Sequence, residues 1–149
     1  MDSREAREAL AQVSATQVRM AEVVVNCPPW RHALFGALFF VLLGSITISN
    51  TVQFASAPFI FLAVYLIVRS DRARMGVFVN GYRRGATLPL SLIMLAVMAG
   101  LIIGAMELRV QGYSPGAKLA LATAAFAIAT LFSIYWQRIY VLELKASSN

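Results

Sequence analysis

The sequence predicts an all-α integral membrane protein, a four-helix bundle of two hairpins preceded by an amphipathic helix. Of its 149 residues 59% are hydrophobic and 13% charged, and the mean hydropathy of +0.69 lies outside the range usual for soluble proteins. Residues 33–68 contain no charged side chain, and an arginine cluster follows directly. At about 1.5 Å per residue, this uncharged segment is too long for one pass through about 30 Å of hydrocarbon and nearly right for two.

The first predicted element is a cytoplasmic amphipathic helix within residues 1–27. Asp2 and Glu5 have the spacing of a capping box, and both carboxylates suit the positive end of the helix dipole. Apolar residues then recur every three or four positions, in a heptad pattern with one polar interruption at Gln17. Two interpretations stay open: a helix lying on the membrane or on the bundle, and an oligomer seam through Leu10, Val13 and Met20.

Residues 28–149 form the predicted four-span transmembrane domain. Pro28 and Pro29 end the N-terminal helix, because proline lacks an amide donor and restricts the residue before it. The apolar segments predict spans at about 33–49, 53–68, 88–106 and 118–137. A turn around Asn50 joins the first two spans, and a short polar turn after Glu107 joins the last two.

A basic cytoplasmic loop is predicted at 69–87, where Gly76, Gly81 and Gly85 interrupt any long helix. In the four-span arrangement Arg109 and Lys118 lie on one side, and the other basic residues lie on the opposite side. Basic residues in short loops concentrate on the cytoplasmic side. The sequence therefore predicts a multi-pass protein of the bacterial inner (plasma) membrane with both termini in the cytoplasm.

The arginine-rich side is the best candidate contact surface. Tryptophan and arginine at the mouth of a span favour the headgroup layer, and anionic headgroups explain a basic loop without further partners. An acidic partner protein is the alternative. Nucleic acid is not expected, since the net charge of +6 gathers at the ends of apolar segments. The predicted lipid or partner contacts are Trp30, Arg31, Arg69, Arg72, Arg74, Arg83 and Arg84.

The clearest helix-packing signal is Ala96, Gly100 and Gly104, which repeat every four residues along the third span. Small residues at this spacing let a neighbouring backbone approach and gain contacts that lipid does not match. The fourth span offers a similar alanine-rich surface. The simpler interpretation is that the two helices of this hairpin pack on each other; the other is a seam between copies of the chain.

Catalytic chemistry is not evident in the sequence. The single histidine, His32, has Cys27 and Glu22 as its nearest reactive neighbours, and three unlike ligands across a proline break make a poor metal site. His32 is therefore predicted to anchor the first span at the interface. Paired carboxylates, a glycine-rich phosphate loop and a nucleophile elbow are absent from the sequence. We expect no enzyme activity, catalytic residue, cofactor or metal ion.

These observations predict a membrane protein that acts by association, either as an accessory subunit of a larger membrane complex or as a self-assembling homo-oligomer. The alternative is an oligomeric channel or an uncoupled transporter for a small solute. Coupled carriers usually need an ionisable group at membrane depth, and the predicted spans contain none. Asp71 and Glu107 lie at span ends, where neighbouring arginines and hydration are expected to satisfy them. The expected partners are membrane lipids and either a second copy or another membrane protein.

Overall fold

The predicted all-helical fold is confirmed by the computed structural model of the chain. The structure describes residues 4, 5, 7–9, 11, 12, 15, 27–75, 85 and 87–146. Its four long helices are α1 (Pro29–Ile48), α2 (Asn50–Met75), α3 (Thr87–Val110) and α4 (Pro115–Ala146). No strand occurs among the described residues.

The N-terminal segment is described only in part. Its described residues between positions 4 and 15 are helical, and Arg4 and Glu8, one turn apart, form an exposed ion pair at 3.8 Å. The heptad residues Leu10, Val13 and Met20 lie outside the described residues. The choice between a surface helix and an oligomer seam therefore stays a prediction.

The first hairpin turns within one residue. Pro28 caps α1 and Pro29 occupies its first turn, where the missing amide leaves no intrahelical hydrogen bond unmade. Ser49 alone separates α1 from α2 and is extended, with φ −166° and ψ 163°. Its hydroxyl accepts the backbone N–H of Val52 at 3.2 Å and so caps α2. The interruption between α1 and α2 lies at Ser49, one residue before the predicted turn at Asn50, because the Ser49 side chain caps α2 and no longer connection is needed.

Helix α2 continues well beyond its predicted end at residue 68. It runs to Met75, so the first part of the predicted basic loop 69–87 is wrong: Arg69, Arg72 and Arg74 lie on helix. The charges mark the end of the apolar part of α2 and not the end of the helix, since arginine is a good helix former and suits the C-terminal end of the dipole. For the same reason α3 and α4 extend beyond the predicted spans 88–106 and 118–137.

The second hairpin turns through a glycine. Gly112 has a positive φ of 67°, and the N–H of Tyr113 donates to the carbonyl of Leu108 at 3.1 Å. This is a Schellman ending, for which glycine is favoured because it has no Cβ. Ser114 then caps α4, and a proline follows at the first helical position.

Helix α1 lies at the centre of the packing. It contacts α2, α3 and, most extensively, α4, whereas α2 packs against α1 alone among the described helices. Leu43 and Ile46 of α1 meet Ala105 of α3 and Ala125 of α4 in a small apolar core. The α1, α3 and α4 helices therefore form the body of the bundle, and α2 lies along its edge.

All four helices are long and apolar enough to cross a membrane. The most apolar window in each has a mean hydropathy between 1.7 and 2.4. Most of α2 and α3 is left uncovered by the rest of the chain. Large exposed apolar surfaces of this kind need either lipid or a protein partner around them.

Candidate functional site

An ion pair joins α1 to α2 at the end of the bundle that lies away from the Ser49 turn. We call this end, which holds the ion pair, the basic end. The Arg31 side chain donates from Nε and Nη2 to the two carboxylate oxygens of Asp71, at 2.7 and 2.6 Å. Asp71 is only 3% exposed. Arg31 lies in the first turn of α1 and Asp71 near the end of α2, and the antiparallel hairpin brings them together.

This pair corrects two expectations. Arg31 was a predicted lipid or partner contact, yet its guanidinium is engaged by a carboxylate of the same chain. Asp71 does pair with an arginine, but the arginine comes from another helix and the carboxylate is buried instead of hydrated. The sequence alone could have indicated that Arg31 and Asp71 pair. Both residues lie equally far from Thr51, beside the tight turn, so an antiparallel hairpin places them at the same level.

A second contact ties the residue before α1 to the same end of α2. Arg74 donates from Nη1 to the sulfur of Cys27 at 3.7 Å, and Cys27 is a half-buried free thiol. Together with the Arg31 pair, this contact holds the start of α1 against the last turns of α2. Arg74, like Arg31, is therefore directed partly towards its own chain.

His32 connects α1 to α4. Its Nδ1 lies 2.8 Å from the Ser133 hydroxyl, and the ring is buried, with 7% exposed. A hydrogen bond to Gln137, one turn further along α4, adds to this contact. The expectation that His32 anchors the span at the lipid interface is corrected: the ring faces a neighbouring helix because α1 and α4 pack closely there.

Gly36 makes the close approach of α1 to α4 possible. A Cβ at this position would lie 2.8 Å from the backbone carbonyl oxygen of Phe126 and would collide with the Thr130 hydroxyl. Further along the same helix pair, a Cβ at Gly44 would lie 3.9 Å from the Cβ of Ala122, and Ala122, Ala125 and Ala129 of α4 are all buried. Sequence reasoning missed Gly36, because the other glycine of α1, Gly44, lies two four-residue steps away with Phe40 between them, so the repeat of small residues is incomplete.

A histidine beside a serine hydroxyl is also the arrangement of a base and a nucleophile. Whether a substrate could reach the pair decides between a catalytic role and a hydrogen bond between helices. An open apolar groove of about 340 Å³ lies between α1 and α4, but its lining includes neither His32 nor Ser133. With the ring buried, the geometry favours a hydrogen bond between helices. Among the described residues, no group of three His, Cys, Asp or Glu side chains is placed to hold a metal ion.

The predicted basic contacts do not form one loop surface. Arg69 and Arg72 are exposed on α2, and Trp30 is 48% exposed at the start of α1. Arg31 and Arg74 are directed inward, as described above. Arg83 and Arg84 lie outside the described residues. The described part of the predicted set therefore reduces to two outward arginines on one helix and one tryptophan on another.

The small-residue face of α3 points away from the other three described long helices. A Cβ added at Gly100 or at Gly104 would meet no atom of the described residues within 4 Å, and Ala96 is exposed. Met98 and Ala105 form the buried side of α3 instead. The two helices of the second hairpin do pack on each other, but not through the predicted face. The simpler interpretation of Ala96, Gly100 and Gly104 is thereby corrected.

Comparison with protein-family models, with curated proteins and with solved structures found no match to this chain. The fold and its surfaces define the class of protein by themselves. Its described residues form an all-helical protein with four helices long and apolar enough to span a membrane, a buried ion pair between α1 and α2, and a small-residue face of α3 that no described atom approaches.

Proposed function

We propose that this is a small multi-pass membrane protein that acts by association within the membrane, first of all with copies of itself. The observation that supports this is the open face of α3. Among the described residues, no atom would lie within 4 Å of a Cβ added at Gly100 or Gly104. A helical face whose small residues permit close packing, and which the described helices leave uncovered, suits a neighbouring helix.

Energetics support an intermolecular role for these glycines. A glycine inside a helix costs about 0.5–1 kcal/mol relative to alanine. Gly36 offsets this cost within the chain, because it admits the α4 backbone. Gly100 and Gly104 make no such compensating contact among the described residues. We therefore expect the compensating contact to come from a second chain. Small residues at this spacing are typical of helix pairs in membranes.

The membrane itself is part of the proposal. Length and apolar character of the four helices support it, as does the division of charge between the two ends. Arg69 and Arg72 lie at the basic end, whereas Arg109 lies at the opposite end, where it donates to the Asn50 side chain at 2.6 Å. By the positive-inside rule the basic end, and with it both termini, faces the cytoplasm. A bacterial inner membrane fits this arrangement.

The channel alternative gains no support from the described residues of a single chain. Where α1, α3 and α4 meet, the side chains are apolar. The hydroxyls of Ser45, Thr47 and Ser56 donate to carbonyls of their own helices, at 2.7 to 2.8 Å. Hydroxyls used in this way line no evident pathway.

Replacement of Gly100 and Gly104 by leucine tests the proposal. Two leucines fill the face and keep a partner backbone away, so we expect the wild-type oligomer to become a monomer. The measurement is the particle mass of the full chain in nanodiscs. The matched control is Ala55→Leu, which adds the same kind of side chain to an exposed position on α2 and leaves the mass unchanged.

Two results would contradict self-association. One is a wild-type monomer, and the other is a Gly100→Leu, Gly104→Leu variant that keeps the wild-type mass. A wild-type monomer that binds a different membrane protein in fixed stoichiometry, and loses it in the leucine variant, would instead support the accessory-subunit form of the proposal.

A further inference from the structure

The outer face of α2 carries a continuous stripe of aromatic and basic side chains. Phe54, Phe61 and Tyr65 are 78%, 73% and 56% exposed, and the exposed Arg69 and Arg72 follow. Successive members are three, four or seven residues apart, so at 3.6 residues per turn they share one face. We call this the α2 stripe. Ile67 and Asp71 are buried on the opposite face, where α2 packs on α1.

We propose that the α2 stripe binds an anionic phospholipid, with the phosphate on Arg69 and Arg72 and the acyl chains along the aromatic side chains. This inference rests on the membrane location in the proposed function. It does not rest on self-association, which uses α3.

The charge of the stripe is left uncompensated by its own helix. Asp71 is the only carboxylate in α2, and it is buried on the packed face in the two hydrogen bonds from Arg31. The same pair neutralises Arg31. Of the described arginines on α1 and α2, Arg69 and Arg72 are the exposed ones, and their guanidinium groups match phosphate oxygens in shape and charge.

A second copy of the chain is a poor occupant of this face. Two copies in the same membrane orientation that met through α2 would share a two-fold axis along the membrane normal. Arg69 and Arg72 would then face the same residues of the partner at the same depth, and like charges repel. A lipid phosphate supplies the opposite charge at that depth, so complementarity favours lipid.

The length of the aromatic part suits one lipid leaflet. Helical rise places Phe54 about 16 Å from Tyr65 along α2, close to half of a hydrocarbon layer of about 30 Å. Tyr65, one turn before Arg69, lies where a phenol bridges the apolar and headgroup layers. Acyl chains that descend from a phosphate on the arginines therefore meet aromatic rings along their length.

The test is lipid titration of the purified full chain, with phosphatidylglycerol and phosphatidylcholine of identical acyl chains, read by native mass spectrometry. We expect phosphatidylglycerol to bind more tightly. In the Arg69→Gln, Arg72→Gln variant that preference falls about 30-fold, at about 1 kcal/mol for each basic residue near anionic lipid. Arg138→Gln is the matched control, since Arg138 is also exposed and lies on α4 next to Gln137 at the basic end.

A second variant, Phe54→Ala with Phe61→Ala, separates the acyl contact from the headgroup contact. It is expected to weaken both lipids alike and to leave the preference unchanged. Excess inorganic phosphate should not displace phosphatidylglycerol, because a free phosphate lacks the acyl contacts. Equal binding of the two lipids by the wild type, an equal loss in Arg138→Gln, or full displacement by inorganic phosphate would each overturn the inference.

The particle mass of the Arg69→Gln, Arg72→Gln variant is measured in the same spectra. It should equal that of the wild type, because the α3 face is intact. If the wild type is oligomeric but binds the two lipids equally, the lipid site is refuted and self-association is not. An intact lipid site on a wild-type monomer would refute self-association alone.

Discussion

At the residue scale, the contact between Arg31 and Asp71 is the most constrained polar interaction in the described structure. It is bidentate, with both bonds at or below 2.7 Å, and the Asp71 side chain is 4% exposed. Burial makes each partner dependent on the other, since the Asp71 carboxylate alone would lack both water and a counterion, and the Arg31 side chain, 20% exposed, would be only partly hydrated. The pair fixes where α2 sits along α1.

Asp71→Ala should therefore destabilise the protein strongly. Removal of the carboxylate leaves the Arg31 guanidinium in a largely buried position without its counterion, and such losses cost about 3–5 kcal/mol. The measurement is unfolding by sodium dodecyl sulfate in mixed micelles, followed by circular dichroism.

The paired variant Arg31→Met, Asp71→Leu is the control for this prediction. It removes both charges and keeps apolar volume, so it should recover most of the stability lost in Asp71→Ala. If the double variant is as unstable as the single one, the ion pair does not explain the loss.

At the scale of the elements, α1 organises the bundle, because it is the one described helix that contacts all three others. Its contacts differ in kind. At the contact with α4, the absence of a side chain at Gly36 allows close approach, and His32 hydrogen-bonds to Ser133. At the contact with α2, Arg31 forms an ion pair with Asp71 at the basic end. Because lipid removes most of the hydrophobic drive between helices, close packing and polar contacts of this kind position them.

Gly36→Ala tests the α1–α4 contact. The added Cβ would lie 2.8 Å from the carbonyl oxygen of Phe126, and a backbone atom has little freedom to move aside. Overpacking of this kind costs about 1–3 kcal/mol, and we expect that loss in the same unfolding assay.

Gly100→Ala is the matched control. It makes the same change at a position where the added Cβ would meet no atom of the described residues within 4 Å. Its monomer should be as stable as the wild type or slightly more so, from the higher helix propensity of alanine. Equal effects of the two substitutions would contradict the assignment of Gly36 as the point of closest approach.

At the scale of the whole molecule, the two ends of the bundle are chemically distinct. One end holds Arg31, Asp71 and the outward arginines of α2. The other holds two tight turns, at Ser49 and Gly112, linked by the hydrogen bond from Arg109 to Asn50. Both connections between described helices at that end are therefore short.

Reporter fusions test the orientation of the molecule. A reporter inserted beside Tyr113, which is exposed in the second turn, should be located outside the cytoplasm, and one at the C-terminus should be located inside. Activity of alkaline phosphatase at the first site and fluorescence of green fluorescent protein at the second provide the measurement. A cytoplasmic signal at Tyr113 would invert the orientation and place the α2 arginines on the outer side.

The sequence determined by itself the helical class, the number of long helices and the approximate turns. These follow from local chemistry: apolar runs of membrane length, prolines at residues 28 and 29, and Gly112 with Ser114 between α3 and α4. It did not determine where each helix ends, because the arginines after residue 68 continue the helix after the apolar run stops.

Only the tertiary structure decided which faces are used within the chain. A repeat such as Ala96, Gly100 and Gly104 shows that a face permits close packing, but not which helix occupies it, and none of the four described long helices does. The contacts of His32 with Ser133 and of Gly36 with Phe126 join residues far apart in sequence. They depend on how α1 and α4 are rotated against each other, and that rotation is set by the packing of the whole bundle.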